Sequence, residues 1–189
     1  MDSKALHKLS YGIYVVTSGK ENNCNGQVAN TVFQVTSQPE TIAVSINKSN
    51  FTHDFIRKTG VFAVSVLSQT APLNLIGSFG FRCGRDVDKF EGINFKVGKT
   101  GTRIVLDKAI AYLEAEVIKE VDAGTHTIFI GKVIDAEGLN NEEPMTYAFY
   151  HEIKRGTTPK SAPTYSKPEK LEENRRMVKY KCTVCGYIY

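Results

Sequence analysis

The chain contains no tryptophan and only 4 cysteines in 189 residues, and its apolar residues never gather into a long run. No stretch approaches the length that spans a bilayer, and the N-terminal MDSKALHKLS lacks the apolar core of a secretory signal. These absences predict a cytoplasmic protein with no membrane partner. A cytoplasmic compartment keeps thiols reduced, so the cysteines are not expected to form a disulfide framework.

The charge pattern and the missing motifs exclude two further classes. The 24 basic and 20 acidic residues are scattered and leave a net charge of only +4, whereas nucleic-acid-binding domains concentrate basic residues in a patch or stripe. No GxGxxG fingerprint and no repeated strand–helix alternation are present, which disfavours a Rossmann domain. With 41% hydrophobic and 23% charged residues, the composition is that of a globular protein.

A β-rich pattern is present up to about residue 135. Runs of Val, Ile, Thr, Tyr and Phe are broken by turn residues about every ten positions. The runs YGIYVVTSG and QVANTVFQVTS predict a hairpin joined by KENNCNG, and TIAVSIN and VFAVSVL predict two more strands. Residues 109–138 predict two long antiparallel strands that meet at residues 122–124. Several antiparallel strands with few helices favour a closed or partly open barrel.

Two short helices interrupt these strands. KSNFTHDFIRKTG predicts a helix that Thr52 caps at its start and Gly60 ends, with basic residues in its last turn. A second short helix is expected after Pro72. From residue 154 the composition shifts to Pro, Lys, Ser, Thr and Glu. We therefore expect a barrel domain over 1–153, an arm and linker over 154–176, and a separate module over 177–189.

The stretch SINKSNFTHDF predicts an anion site at the start of the first helix. Free N–H groups of a helix N-terminus, hydroxyls and a lysine together suit a phosphate. The polar residues of this stretch are Ser45, Asn47, Lys48, Ser49, Asn50 and Thr52. Simple capping of a surface helix remains the open alternative.

A second group of polar residues suits the rim of a flat heteroaromatic ligand, although strands are often rich in Thr and Gln for no functional reason. These residues are Asn30, Thr31, Gln34, Thr36 and Ser37. His126 follows a predicted tight turn, where a lone histidine is more often structural. Lys89 and Phe90 pair a charge with an aromatic ring on a loop and indicate little alone.

The C-terminal KYKCTVCGYIY carries half of a tetrathiolate metal site. Cys182 and Cys185 have the spacing of two ligands on one turn, and Gly186 suits the positive φ of that turn. Two thiolates do not complete a tetrahedral iron or zinc site. We therefore expect a truncated copy of a longer protein, with a decayed module as the alternative. A redox-active dithiol is disfavoured because no βαβ surround is predicted.

Taken in order, several segments resemble the flavin reductase-like family of FMN-binding split barrels, and within it the flavoredoxins. These segments are ANTVFQVTSQPETIAVSINKSNFTHDFI, FAVSVL, DKF, GTHTIFIGKV and KSAPTYS. The resemblance covers about residues 9–166. The tail resembles the opening of a rubredoxin, so the whole arrangement resembles the flavoredoxin–rubredoxin fusions called high-molecular-weight rubredoxins. The resemblance implies a mainly β, Greek-key split barrel with a few short helices, a partial rubredoxin-like tail, and a homodimer that holds FMN near its interface.

The resemblance also implies roles for particular residues. The phosphate would lie on Ser45, Ile46, Lys48, Asn50 and Thr52, and the isoalloxazine against Asn30, Thr31, Gln34, Val35 and Thr36. Lys89 would reach the polar edge of the ring and Tyr165 would cover the flavin. Thr31, beside the reactive flavin nitrogen, and His126, touching flavin or nicotinamide, are the catalytic candidates. Some flavoredoxin-like relatives carry a tryptophan beside the ring, and its absence here gives Gln34 or Val35 a different role.

The function implied is electron transfer by a flavin-dependent oxidoreductase. NAD(P)H or a reduced protein would load FMN, and the electrons would pass to a rubredoxin-type iron held in part by Cys182 and Cys185. A diiron oxidase or a peroxide-reducing protein is the partner that the fusions imply. Three alternatives stay open: a flavin reductase that releases reduced flavin, a non-catalytic FMN-binding sensor, and a zinc-stapled interaction protein.

Overall fold

A computed structural model describes residues 3–165, and this part of the chain is mainly β, as predicted. Its strands are β1 (Tyr14–Lys20), β2 (Asn23–Ala29), β3 (Val32–Ser37), β4 (Glu40–Asn47), β5 (Val61–Leu67), β6 (Phe95–Val97), β7 (Arg103–Val105), β8 (Ala109–Ala123) and β9 (His126–Gly138). Its α-helices are α1 (Phe51–Thr59), α2 (Leu73–Phe81) and α3 (Tyr147–Glu152), and a 3₁₀ helix covers Ser3–Lys8. No helix within residues 3–165 is long and apolar enough to cross a membrane.

Seven strands form one antiparallel sheet in the order β2-β1-β5-β8-β9-β4-β3. The two edge strands of this sheet, β2 and β3, follow each other in sequence and are joined only by Asn30 and Thr31. A two-residue link cannot span seven flat strands spaced about 4.8 Å apart, so the sheet must curl until its edges meet. The edges are not hydrogen-bonded to each other, and the result is a barrel with an open seam between β2 and β3.

The barrel interior is filled by apolar side chains from most of the strands and from α1. Phe62 and Phe129 lie at its centre with no exposed surface, and Ile56 of α1 closes one end. Burying an aromatic or aliphatic side chain of this size contributes about 1.5–3 kcal/mol. A second apolar layer packs α2 against the outside of β1 and β2 through residues such as Ile76 and Phe79. These two layers fix α1 and α2 on the flanks of the seam.

Three sequence predictions about local structure are wrong. The run QVANTVFQVTS is not one strand, because the chain breaks at the seam, and β2 rather than β3 pairs with β1. The loop KENNCNG reduces to a tight turn because Cys24 and Asn25 already belong to β2. Thr52 does not cap α1: the helix begins at Phe51 after Asn50, and Thr52 is buried within its first turn.

Other local predictions are confirmed. Gly60 ends α1 with φ 69°, Arg57 and Lys58 occupy its last turn, and α2 follows Pro72. The two longest strands, β8 and β9, form the expected hairpin, with a turn that contains Gly124. The short hairpin of β6 and β7 and the helix α3 were not predicted.

A buried carboxylate holds the β6–β7 hairpin onto the sheet. Glu114 of β8 has no exposed surface, and its oxygens accept hydrogen bonds from the backbone N–H groups of Lys99 (2.7 Å) and Thr100 (2.9 Å). The Thr100 hydroxyl donates a third bond of 2.5 Å. A buried carboxylate is tolerated only where donors of this kind surround it, so Glu114 is a structural residue.

Candidate functional site

A cavity of about 410 Å³ opens where β2 leaves the sheet at the seam. Its walls come from β2, the end of β4, the first turn of α1, the end of α2 and the segment 157–163 that follows α3. The volume lies within the roughly 300–1,000 Å³ of typical small-molecule sites. Because the seam and both helix ends meet here, the fold itself creates the cavity.

The lining is apolar on one side and rich in neutral hydrogen-bonding groups on the other. The apolar side includes Val28, Ile76 and Phe79. The amides and hydroxyls are those of Asn25, Gln27, Asn30, Ser45, Asn47, Ser49, Asn50, Thr52, Thr157, Thr158 and Ser161. Arg82 and Lys89 supply positive charge, and no carboxylate is among the lining residues. This combination suits a ligand that carries both a flat ring and an anionic group.

The first turn of α1 supplies backbone donors to one end of the cavity. Asn50 is its N-cap residue but accepts no side-chain capping bond from within the described chain. The start of the helix is held in place by Asn25 of β2, whose Nδ2 donates to Thr52 Oγ1 at 2.9 Å. A β-carbon at position 84 would overlap Asn25 Oδ1, so a larger residue than Gly84 would have to displace this side chain. This end of the cavity therefore combines a helix N-terminus with fixed polar side chains, which favours an anion.

Lys89 brings a buried cation to the cavity. Its side chain is only 7% exposed, and Nζ donates to the carbonyl oxygens of Gly26 (2.8 Å) and Phe79 (3.0 Å). Burial lowers the pKa of this ammonium from 10.5 to about 8, an effect that nearby Cys83 partly opposes. An ammonium that is costly to keep charged in this place is stabilised by an adjacent negative charge on a ligand.

The segment 157–165 closes the outer side of the cavity through bonds to the barrel. Asn30 Nδ2 donates to Thr164 Oγ1 at 2.7 Å, and Asn47 Nδ2 donates to the Ser161 carbonyl at 3.1 Å. His126 Nε2 donates to the same carbonyl at 3.2 Å. The first part of the predicted arm thus lies against the seam and covers the cavity.

Two polar atoms beside the cavity are buried and unpaired within residues 3–165. They are Gln27 Oε1 and Thr157 Oγ1, one from the barrel and one from the arm. Most buried polar groups in native proteins have partners. Unpaired polar atoms that line a cavity are therefore expected to bind a polar ligand, and the lining fits a flavin phosphate with its ring system.

The structure brings together seven of the residues that the sequence singled out. The residues that line the cavity are Asn30, Ser45, Asn47, Ser49, Asn50, Thr52 and Lys89. Those outside the lining are Thr31, Gln34, Val35, Thr36, Ser37, Ile46, Lys48, Phe90, Tyr165 and His126. Local sequence did not point to Gln27 or Thr157, because it gives no sign of which strand and arm residues meet at the seam.

The residues outside the lining differ in their surroundings. Gln34, Val35 and Thr36 are exposed on the edge strand β3, whereas Ile46 is fully buried in the barrel core. Lys48 donates to Asp122 Oδ1 at 2.7 Å. Thr31 lies beside the cavity, and its hydroxyl donates to Asn30 Oδ1 at 3.0 Å.

Tyr165 is half-buried and stands at the end of the described arm. His126 does not line the cavity itself, but it bonds the carbonyl of Ser161, a residue of the arm that does. Cys182 and Cys185 lie outside the described residues. Within residues 3–165, no three His, Cys, Asp or Glu side chains are grouped to hold a metal ion.

The chain belongs to the family of the flavin reductase like domain, whose model matches residues 6–156. It is 56% identical over 190 residues to the high molecular weight rubredoxin of Moorella thermoacetica, covering 100% of this chain and 83% of that protein. It is 50% identical over 165 residues to the ferric-chelate reductase (NAD(P)H) of Archaeoglobus fulgidus, covering 87% of this chain and 98% of that protein.

A solved structure supports the same assignment. The NADH:FAD oxidoreductase of Streptomyces globisporus C-1027 superimposes with a TM-score of 0.70 at 26% identity, over 77% of this chain and 85% of that chain. The chain is therefore a flavin-dependent oxidoreductase.

Proposed function

We propose that the chain binds FMN in the seam cavity and passes electrons from NAD(P)H, or from a reduced partner protein, to a rubredoxin-type iron centre. The proposal is supported by a cavity that unites a helix N-terminus, a buried lysine and two polar atoms without a partner in residues 3–165, and whose described lining contains no carboxylate. A flavin supplies the conversion between two-electron and one-electron transfer. The chain's residues supply binding, orientation and electrostatics.

The phosphate belongs at the first turn of α1. Ser45, Asn50 and Thr52 line this end of the cavity, and the N–H groups of the helix provide donors and a favourable dipole. Lys48 is held by Asp122 on the surface, so it reaches a phosphate only if that ion pair opens. The predicted phosphate set thus divides into three residues that line the cavity, Ile46, which is buried in the barrel core, and Lys48, which must move.

The ring system belongs between the apolar wall and Lys89. Ile76 and Phe79 offer an apolar surface, and Asn30 with neighbouring Thr31 stands at the seam. The Lys89 ammonium beside the ring's polar edge favours negative charge there, which reduction of a flavin creates. Tyr165 and His126 lie on or against the arm, where they would shield the flavin and meet a nicotinamide. Hydride transfer then needs the nicotinamide stacked at near-attack distance and no dedicated acid or base.

A homodimer would complete the site from the outer face of β3. This edge strand leaves Phe33 51% and Val35 43% exposed, and exposed apolar edges favour pairing with another chain. Gln34 and Thr36 lie on the same strand. Their predicted contact with the isoalloxazine therefore requires the partner's flavin or a shift of the strand.

The proposal of an iron centre is based on Cys182 and Cys185 and on the similarity to the high molecular weight rubredoxin of Moorella thermoacetica. This similarity covers the entire chain. Two more thiolates are required for a rubredoxin site. The domain boundaries predicted from composition, at residues 153 and 176, would put these cysteines in a separate module. A diiron oxidase or a peroxide-reducing protein is the proposed acceptor.

Electron transfer to a rubredoxin can be measured directly. FMN-loaded protein is reduced anaerobically with NADH or NADPH and mixed with oxidised rubredoxin as a separate protein. We expect the rubredoxin absorbance to bleach faster than with an equal concentration of free reduced FMN. Equal rates would contradict an electron-transfer role for the protein.

A flavin reductase that releases its product is the second candidate, favoured by the similarity to an NADH:FAD oxidoreductase. The two functions differ in flavin retention. After reduction and rapid ultrafiltration, an electron carrier keeps its flavin above the membrane, whereas a flavin reductase loses it to the filtrate.

A further inference from the structure

Gln27 is a half-buried residue whose carboxamide oxygen is fully buried, and the barrel does not explain its function. Its backbone is fixed by β2, where it pairs with Val16 of β1, and its side chain lines the cavity. Oε1 is buried and accepts no hydrogen bond from any residue between 3 and 165. An acceptor left unpaired in this way carries a free-energy penalty. A donor on the ligand that reaches this oxygen would recover that energy.

Gln27 also lies next to the buried cation. The carbonyl of Gly26, the preceding residue, accepts the 2.8 Å bond from Lys89 Nζ. The same part of β2 therefore presents a carboxamide and an ammonium to the ligand. Neither group has a carboxylate beside it in the lining. This combination suits a ring edge that offers an N–H and also carries carbonyl oxygens.

The imide of a flavin's pyrimidine ring has this pattern, with one N–H flanked by two carbonyl groups. A carboxamide complements it, because its oxygen accepts from the N–H while its NH₂ donates to a neighbouring carbonyl. Lys89 suits the second carbonyl and the charge that the ring gains on reduction. Within the oxidised ring system the imide N–H is the only N–H donor, and the apolar dimethylbenzene portion offers none to Gln27.

We infer that Gln27 is the residue that recognises the imide edge of the bound flavin, with Oε1 accepting from the imide N–H. The inference rests on the proposed FMN site, and it places the imide edge of the flavin ring against β2. It differs from the expectation for Gln34, whose exposed side chain donates from Nε2 to the Thr36 carbonyl at 3.2 Å on β3.

The test compares FMN with its N3-methyl analogue, in which the imide N–H is replaced by a methyl group. Dissociation constants are measured by quenching of flavin fluorescence for the wild type and for Gln27→Met, which keeps the side-chain length but removes both polar atoms. Gln34→Met tests the rival position. Gln69→Met is the control, because Gln69 is half-buried and outside the cavity lining.

We expect the wild type to bind FMN about tenfold more tightly than the methylated analogue, the effect of one buried hydrogen bond. The ratio should fall to about one in Gln27→Met and stay about tenfold in the other two variants. Gln27→Glu, which retains an acceptor, should keep a preference for FMN even where total affinity falls.

Two results would overturn the inference while leaving the proposed FMN site intact. One is a wild type that binds both flavins equally, and the other is a ratio that collapses in Gln34→Met instead of Gln27→Met. A wild type that binds neither flavin would defeat the proposed function and the inference with it. Circular dichroism spectra of the variants confirm that each is folded.

Discussion

The buried ammonium of Lys89 gives a stability prediction whose size follows from its surroundings. Burial lowers its pKa from 10.5 to about 8 in the folded protein, while the unfolded chain keeps the higher value. Between these two pH values the unfolded chain binds more protons, so the free energy of unfolding rises with pH. A difference of about 2.5 pKa units at 1.36 kcal/mol each is worth about 3 kcal/mol. Below pH 8 the whole penalty is present.

Comparison with two variants isolates this effect from other ionisable groups. Lys89→Met removes the titrating group, and Lys89→Gln keeps a donor for the carbonyls of Gly26 and Phe79 without titrating. Urea denaturation of the flavin-free proteins, followed by circular dichroism from pH 7 to 10.5, gives the free energies of unfolding. We expect the wild type to gain stability relative to both variants as pH rises. Parallel pH profiles would refute a depressed pKa at Lys89.

Three further substitutions have defined outcomes. Glu114→Gln should lower the free energy of unfolding, measured by urea denaturation, by about 2–4 kcal/mol, because its NH₂ group would face the N–H donors of the turn at 98–101. An unchanged denaturation midpoint would contradict the structural role of Glu114. Gly60→Ala should cost about 1 kcal/mol in the same assay, since φ is 69° and no neighbouring atom obstructs a β-carbon; a stabilised variant would contradict the positive φ. Asp122→Asn should strengthen FMN binding about twofold to fivefold by releasing Lys48 from its ion pair; unchanged affinity would argue against a phosphate contact by Lys48.

The elements that sequence predicts well are those whose signal is local. The β8–β9 hairpin follows from alternation over two long strands around Gly124, and the end of α1 follows from Gly60. The break between β2 and β3 is not visible in the sequence, because the two linking residues, Asn30 and Thr31, are neither glycine nor proline. β-Forming residues also continue on both sides of them. Only the closure of the sheet requires the chain to turn there.

The residues of the candidate site also differ in whether local sequence predicts them. Ser45, Asn50 and Thr52 lie close in sequence at the start of one helix, so their polar pattern was visible. Gln27 and Thr157 meet the same cavity from a strand and an arm that are 130 positions apart (157 − 27). Their proximity depends on the register of β2 and the path of the arm, which no local pattern encodes. The pairing of Lys48 with Asp122 likewise depends on where the β8–β9 turn ends.

A visible absorption spectrum of the protein, taken after incubation with FMN and removal of unbound flavin, tests directly whether the seam cavity binds FMN. We expect about one bound flavin per chain, which bleaches when NADH or NADPH is added anaerobically. Flavin that stays oxidised would assign the donor role to a reduced partner protein. Protein that remains colourless after reconstitution would contradict the FMN site at the seam.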